Sequence, residues 1–247
     1  MGTMKQWPDQ VPREGIHLWI CTDLHSPRLD EVIDFLPPEE QKCARAYRFE
    51  NDRRRYLGSA LLQRSILARY SSCSLRDLSF LRNQWGKPFL DGGNQAVEFN
   101  ISRSHEVALL AVSGESQLGV DVEYELDCAS GAMNVAAQFS EVERSYIDKA
   151  RGSTRALFEI WARKEAYIKG IGRGLSHPLD EFEVTPNGEM MVRDWSEDSP
   201  AEPWTVRSVK LPVRDYAAAI ATALPSLSIE LMEVNADELI YFQKGMT

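Results

Sequence analysis

The sequence predicts an α+β fold built as two similar halves, and three observations carry that expectation. Short strand-like runs such as "VALLAVS" and "LGVDVEY" are interspersed with longer stretches whose apolar residues recur at helical spacing. The order of strand, helices and further strands occurs once before and once after a divide near Gly114 to Gln117. A chain of 247 residues, 43% hydrophobic and 26% charged, is also long and apolar enough to bury one large core or two small ones.

Taken in order, "IHLWICTDL" is a first strand, and the acidic "PPEEQ" marks a helix start. Two helical stretches follow, at residues 39–48 and 51–70, the second with Leu57, Leu61, Ile66 and Tyr70 close to one stripe. "LSFLRNQWGKPFL" predicts a hairpin turning near Gly86, and "AVEFNI" and "VALLAVS" predict two more strands. The second half opens with the strand "LGVDVEY". Helices around residues 135–150 and 155–169 come next, then strands in "EFEVTPNGEMMVRD", "WTVRSVKL" and "YAAAIATAL". The halves are expected at residues 1–115 and 116–247, with a site between them.

Composition narrows the function. No apolar run approaches the roughly 18 residues of a membrane span, and the start "MGTMKQWPDQVPREG" lacks the apolar centre of a signal peptide, so a soluble cytoplasmic protein is expected. The four cysteines and four histidines show no ligand spacing, which argues against zinc and leaves a hard cation on oxygen ligands open. A net charge of −9 argues against a general nucleic-acid binder. Yet Arg45, Arg48, Arg53, Arg54, Arg55 and Arg64 form a basic block between Lys42 and Arg69. That block is either a solvated helix face with partners such as Glu50, or a holder of phosphates or an acidic partner.

Four stretches carry chemistry. In "GVDVE", Val120 and Val122 alternate with Asp121 and Glu123, so two carboxylates share one strand face roughly 7 Å apart and need water or a cation to offset their repulsion. In "WARKEAYIKGIGRGL", Trp161, Lys164, Glu165, Ile168 and Lys169 fall on one helical face that mixes apolar and charged groups. Its plain reading is packing by Trp161 and Ile168 beside an exposed Glu165–Lys169 pair. The following G-x-G-x-G comes after a helix, not before one, and is no dinucleotide fingerprint. In "FNISRSH" a strand is expected to end at Asn100, with Ser102, Arg103 and Ser104 entering a turn. There they could bind phosphate or simply bond local backbone. In "WGKPFL", Lys87 sits at a hairpin tip.

Together, the helical basic block, "GKP", "N-x-S-x-S", "G-V-D-V-E" and "W-x-x-K-E-A-x-x-K" resemble the 4'-phosphopantetheinyl transferases of the larger, surfactin-synthetase-activating type, from about Leu36 to Leu179. The resemblance implies two α+β subdomains related by a pseudo-twofold, with the active site in the cleft between them. It implies transfer of 4'-phosphopantetheine from coenzyme A to a serine of an apo acyl or peptidyl carrier protein, releasing adenosine 3',5'-bisphosphate. Asp121, Glu123 and Glu165 would hold Mg2+, with Mn2+ as an alternative ion. Lys169 would stand beside the leaving phosphate. Glu143 matches a position proposed as the base for the carrier serine, a role a metal-bound water could take instead.

Coenzyme A contacts carry over to Lys42, Arg54, Lys87, Ser102, Arg103, Lys164 and Lys169. Arg103 stands where the family usually has histidine, with His105 two residues on, and Glu39 stands where some relatives have lysine. Carrier docking is expected on the second half around residues 133–144, a monomer is expected, and neither nucleic acid nor membrane is implied. Two other readings were open: a metal-dependent nuclease, which also uses D-x-E strands, and a binding module with a decayed metal site. The first is disfavoured by the acidic chain, the second by the presence of all three carboxylates.

Overall fold

Alternate residues of the first strand, β1 (Ile16–Cys21), belong to different cores, because side chains of a strand point to opposite faces. Trp19 and Cys21 join the core under the N-terminal helices, while Ile16, Leu18 and Ile20 join a second core on the other side of the sheet. In this computed structural model, which describes residues 7–92, 97–125, 134–150, 153–184, 191–224 and 228–245, that division organises the molecule.

The first half contains a 3-10 helix (Pro27–Phe35), α1 (Pro38–Ala46) and α2 (Glu50–Tyr70), then the hairpin β2 (Phe80–Arg82) and β3 (Pro88–Leu90), then β4 (Glu98–Ser104) and β5 (Val107–Ser113). Gly86 turns the hairpin at φ 92°, a left-handed conformation suited to glycine. Helix α2 buries Leu57, Leu61 and Ile66 against the sheet, as its stripe predicts. Arg64 of the basic block is nearly buried too. It grips Glu40 of α1 with two hydrogen bonds (2.7 and 2.9 Å) and donates to the carbonyls of Leu75 and Leu78. That arginine is a fastener between helices and loop.

The second half contains β6 (Leu118–Tyr124), α3 (Glu141–Lys149), α4 (Thr154–Gly170), a short 3-10 turn (Gly174–Ser176), β7 (Phe182–Glu183), β8 (Arg193–Asp194), β9 (Thr205–Ser208) and β10 (Tyr216–Thr222). Three strands of this half form the sheet β6-β10-β9, and β7 and β8 pair separately. Leu118, Val120 and Val122 of β6, with Ala218 and Ile220 of β10, meet Ile16, Leu18, Ile20, Val107, Leu109 and Ala111 in one core, so the two sheets pack face to face. The opposite face of the second sheet is covered by α4. There β10 presents Ala217, Ala219 and Ala221, small enough for a helix to lie close.

Three expectations are corrected. The last strand, β11 (Ile229–Val234), runs parallel to β1, and α5 (Ala236–Gly245) adds Ala236, Leu239 and Ile240 to the N-terminal core. The sheet is therefore β11-β1-β5-β4, and the chain's end belongs to the first half, not to a unit spanning 116–247. Strand β4 continues to Ser104, with Ser102 and Arg103 in the strand and only His105 and Glu106 in the turn, His105 at φ 48°. The helix expected around 135–150 is interrupted: residues 134–136 are helical, a turn follows, and a new helix starts at Glu141, where Ser140 caps it through a reciprocal bond with Glu143.

Candidate active site

The seam between the halves explains where the acids point. Strands β4 and β6 are joined by side chains. Asn100 Oδ1 accepts from the Val120 amide (2.9 Å), and Ser104 Oγ accepts from the Tyr124 amide (3.0 Å). The N-x-S-x-S spacing places these groups at every second residue, hence on one side of β4. With Val120 and Val122 in the shared core, Asp121 and Glu123 must face the other way, toward α4. Their partners across β10 are Ala219 and Ala217, which leave room.

Asp121 is buried. Its Oδ1 accepts from Ser102 Oγ (2.8 Å) and from the Lys169 ammonium (2.5 Å), while its Oδ2 is buried with no hydrogen-bond partner among the described residues. Lys169 also donates to Ser102 Oγ (2.9 Å). Glu123 accepts from Trp161 Nε1 (3.0 Å) and Ser104 Oγ (3.4 Å). Trp161, Glu165 and Lys169 follow one another at four-residue spacing on α4 and so lie on the same side of it.

The electrostatics are those of crowded anions. Burial raises the Asp121 carboxyl pKa above its ordinary value, although Lys169 and Ser102 pull it down. Burial, then the charge of Asp121, pushes both Glu123 and Glu165 up to about 7. Burial alone would lower the Lys169 ammonium, but Asp121, Glu165 and Glu123 outweigh it and leave it raised. Among the described residues, no three carboxylate, histidine or cysteine groups already stand in a metal-ligand arrangement; the Lys169 ammonium stands on Asp121 instead. The orphaned Oδ2 of Asp121, two further acids that resist ionisation and an all-oxygen donor set fit a hard divalent cation.

Other expected residues lie elsewhere. Glu143 and Lys164 are fully buried and paired at 2.8 Å. Glu143 also accepts from the amides of Ser140 (3.1 Å) and Val184 (2.9 Å), and Lys164 donates to the carbonyls of Leu179 and Phe182 (both 2.7 Å). Glu143 and Lys164 thus form an enclosed internal strut, with neither side chain exposed. Phe139 is likewise buried, stacked near Trp161, which removes it from the expected docking surface; Met133 of that segment lies outside the described residues.

Lys42 is exposed on α1. Arg54 is engaged by Asp30 (2.9 Å) and Glu50 (3.3 Å), and Arg53 by Asp30 (3.0 Å). Arg103 is exposed, bonded to Ser59 Oγ (3.0 Å) and Tyr47 Oη (3.3 Å), with its guanidinium over the Tyr56 ring. The tip lysine Lys87 donates to two carbonyls, Leu118 (3.1 Å) and Gly170 (2.7 Å). Sequence reasoning missed Asn100, Ser104 and Trp161 as groups that orient the acids. The alternate spacing along β4 and the i,i+4 relation of Trp161 to Glu165 were the available signals.

Comparison with known proteins agrees with this geometry. Residues 117–221 match the family model of the 4'-phosphopantetheinyl transferase superfamily, and residues 24–117 match that of the 4'-phosphopantetheinyl transferase N-terminal region. The chain is 31% identical over 222 residues to 4'-phosphopantetheinyl transferase HetI of Nostoc sp., covering 85% of this chain and 88% of that protein. It is 29% identical over 216 residues to 4'-phosphopantetheinyl transferase Sfp of Bacillus subtilis, covering 85% and 92%. It is also 32% identical over 171 residues to 4'-phosphopantetheinyl transferase ffp of Bacillus subtilis, covering 68% and 74%. The carboxylates of β6 and α4 and both matched segments lead to one conclusion: the chain belongs to the 4'-phosphopantetheinyl transferases and is an enzyme of that type.

Proposed function

We propose that the enzyme moves 4'-phosphopantetheine from coenzyme A to a serine hydroxyl of an apo acyl or peptidyl carrier protein, releases adenosine 3',5'-bisphosphate, and depends on Mg2+. The observation that carries this reading is the cluster of Asp121, Glu123 and Glu165, three buried or half-buried acids with one uncompensated oxygen, facing Lys169 and Ser102. A core would not gather such groups without a cationic ligand. When bound there, the divalent ion supplies charge neutralisation for a pyrophosphate and for the transferred phosphoryl group.

The chain's own residues do the remainder. Ser104 and Trp161 hold the Glu123 carboxylate, and Ser102 holds Asp121. Lys169, now on Asp121, is placed to donate to the bridging phosphate oxygen as it leaves, which lowers the charge developing there. Arg103, with Tyr47 and Ser59 fixing its fork, and Lys42 offer the 3'-phosphate a bidentate and a point-charge partner. Arg54 would have to share its guanidinium with Asp30 to join them. With Glu143 enclosed by Lys164 and two amides, no protein base is assigned, and the serine proton passes to solvent at the site.

We further infer a pseudo-twofold relation of the halves and a cleft along the β4–β6 seam. The repeated pairing of a sheet with one long covering helix supports this. No helix among the described residues is long and apolar enough to cross a membrane; cytoplasmic location and a monomeric state belong to the proposal. Incubation with coenzyme A, Mg2+ and a panel of apo carrier proteins tests the reading. The expected result is a mass increase of one phosphopantetheine on at least one carrier, lost when coenzyme A is omitted.

A further inference from the structure

The two elements that carry the charged cluster cross at one point. Gly119, two residues before Asp121, lies against the end of α4: a Cβ there would stand 2.0 Å from the Ala166 carbonyl oxygen and 2.3 Å from the Gly170 amide nitrogen. A Cβ on Gly170, the residue after Lys169, would meet the Trp204 ring at 2.5 Å and the Gly119 nitrogen at 3.2 Å. Strand and helix are therefore in backbone contact. Their relative height at this crossing sets how far Asp121 and Glu123 lie from Glu165 and Lys169.

Into the crossing comes a side chain from the other half. Lys87 donates to Leu118 O on the strand side (3.1 Å) and to Gly170 O on the helix side (2.7 Å). Carbonyls at a helix C-terminus lack intrahelical partners and carry the negative end of its dipole, so an ammonium satisfies both needs. Asn83, from the same hairpin, donates to Gly172 O (2.7 Å), and its Oδ1 accepts from the amides of Trp85 (3.0 Å) and Lys87 (2.9 Å), which fixes the tip. Gly172 has φ 74°, and a Cβ there would press on Asn83 and Lys87 at 2.8 and 3.2 Å. Glycine thus stands on the receiving side of the contact. Burial lowers the Lys87 pKa, with Glu98 offsetting part of that, as expected for an enclosed ammonium.

We propose that the Lys87 ammonium and Asn83 are positioning groups that clamp the crossing of β6 and α4, and so set the spacing of the carboxylates. This inference rests on the functional reading of Asp121, Glu123 and Glu165. The test is Lys87→Met, which keeps the length of the stem and removes every donor. Two readouts are needed: hydrogen exchange of the amides of Gly172 and Arg173, which bond Lys169 and Ile168 at the end of α4, and kcat and KM for coenzyme A. Exchange should quicken about ten-fold or more and kcat should fall about ten-fold, while KM for coenzyme A stays within about two-fold.

Unchanged exchange overturns the proposal. So does a raised KM with unchanged kcat, since that marks a substrate contact. Lys87→Gln, which restores one donor, should lie between wild type and Lys87→Met in both readouts; it also serves if Lys87→Met does not fold, and wild-type exchange in Lys87→Gln then counts against the clamp. Should the wild-type enzyme transfer nothing to any carrier, the functional reading fails, while the exchange measurement still decides whether the clamp exists.

Discussion

Replacing Lys164 by methionine should cost fold stability and leave the chemistry almost intact. Lys164 and Glu143 are both 0% exposed and stand 2.8 Å apart. The substitution deletes that contact and two bonds to the carbonyls of Leu179 and Phe182, and it strips the ammonium from beside the Phe182 ring, 3.9 Å from its centroid. Glu143 is then left as a buried carboxylate with only the amides of Ser140 and Val184. Removing one member of a buried pair costs about 3–5 kcal/mol, because the other charge stays behind in a poor solvent. For a chain of this size each kcal/mol shifts Tm by about 2–4 °C, so a fall of roughly 6–20 °C is expected. Glu143→Gln should destabilise for the same reason. The double variant should recover about 0.5–3 kcal/mol of the summed loss, since neither charge is then stranded. Thermal melts followed by circular dichroism give the stabilities, and transfer is measured below all the transitions. If Glu143 were the base for the carrier serine, Glu143→Gln would lose about a hundred-fold or more in kcat. Wild-type Tm combined with such a loss would refute the strut assignment.

Two further outcomes follow from the site. Glu123 and Glu165 are held at about 7 when folded against an ordinary value of 4.5. Their protonated forms are therefore favoured by folding: this contribution to metal-free stability is complete below about pH 4.5 and is lost as pH rises through about 7. The melting temperature of metal-free protein should fall across that window and saturating Mg2+ should flatten the fall; a profile unaffected by Mg2+ would contradict the assignment. Arg103→Ala should weaken coenzyme A about ten-fold or more while barely affecting 3'-dephospho-coenzyme A, because charge-assisted bonds to phosphate contribute roughly 1.5–3 kcal/mol. Equal weakening of both, measured by calorimetry, would assign Arg103 another partner.

What was legible in the sequence tracks how local each signal is. Strands β5 and β6 match the predicted "VALLAVS" and "LGVDVEY" residue for residue, since both are buried and bounded by polar turns. Strand β11 escaped because its partner β1 lies more than 200 residues away and its outer positions, Glu230 and Glu233, break the apolar pattern of an otherwise ordinary strand. At the site, the opposed faces of β6 were readable from period-two alternation alone. The face of α4 was not. Helical spacing grouped Lys164 with Glu165, yet successive residues are about 100° apart around a helix, and Lys164 turns into the core. The capping-box spacing of Ser140 and Glu143 was the signal that would have marked Glu143 as a helix-terminus group. Where a strand residue had one buried face to choose, the sequence decided it. Where two charged neighbours competed for a helix face, only packing did.

The central claim is that Asp121, Glu123 and Glu165 together hold the divalent ion on which transfer depends, and calorimetric titration of Mg2+ tests it most directly. Wild-type enzyme with coenzyme A present is compared with Asp121→Asn, which preserves the shape and the Ser102 contact but removes the charge beside the orphaned Oδ2. The account predicts that Mg2+ binding and transfer are both lost in Asp121→Asn while circular dichroism shows the fold retained, because Lys169 keeps its bond to Ser102 and the charges of Glu165 and Glu123. Wild-type affinity for Mg2+ together with wild-type transfer by Asp121→Asn would contradict it.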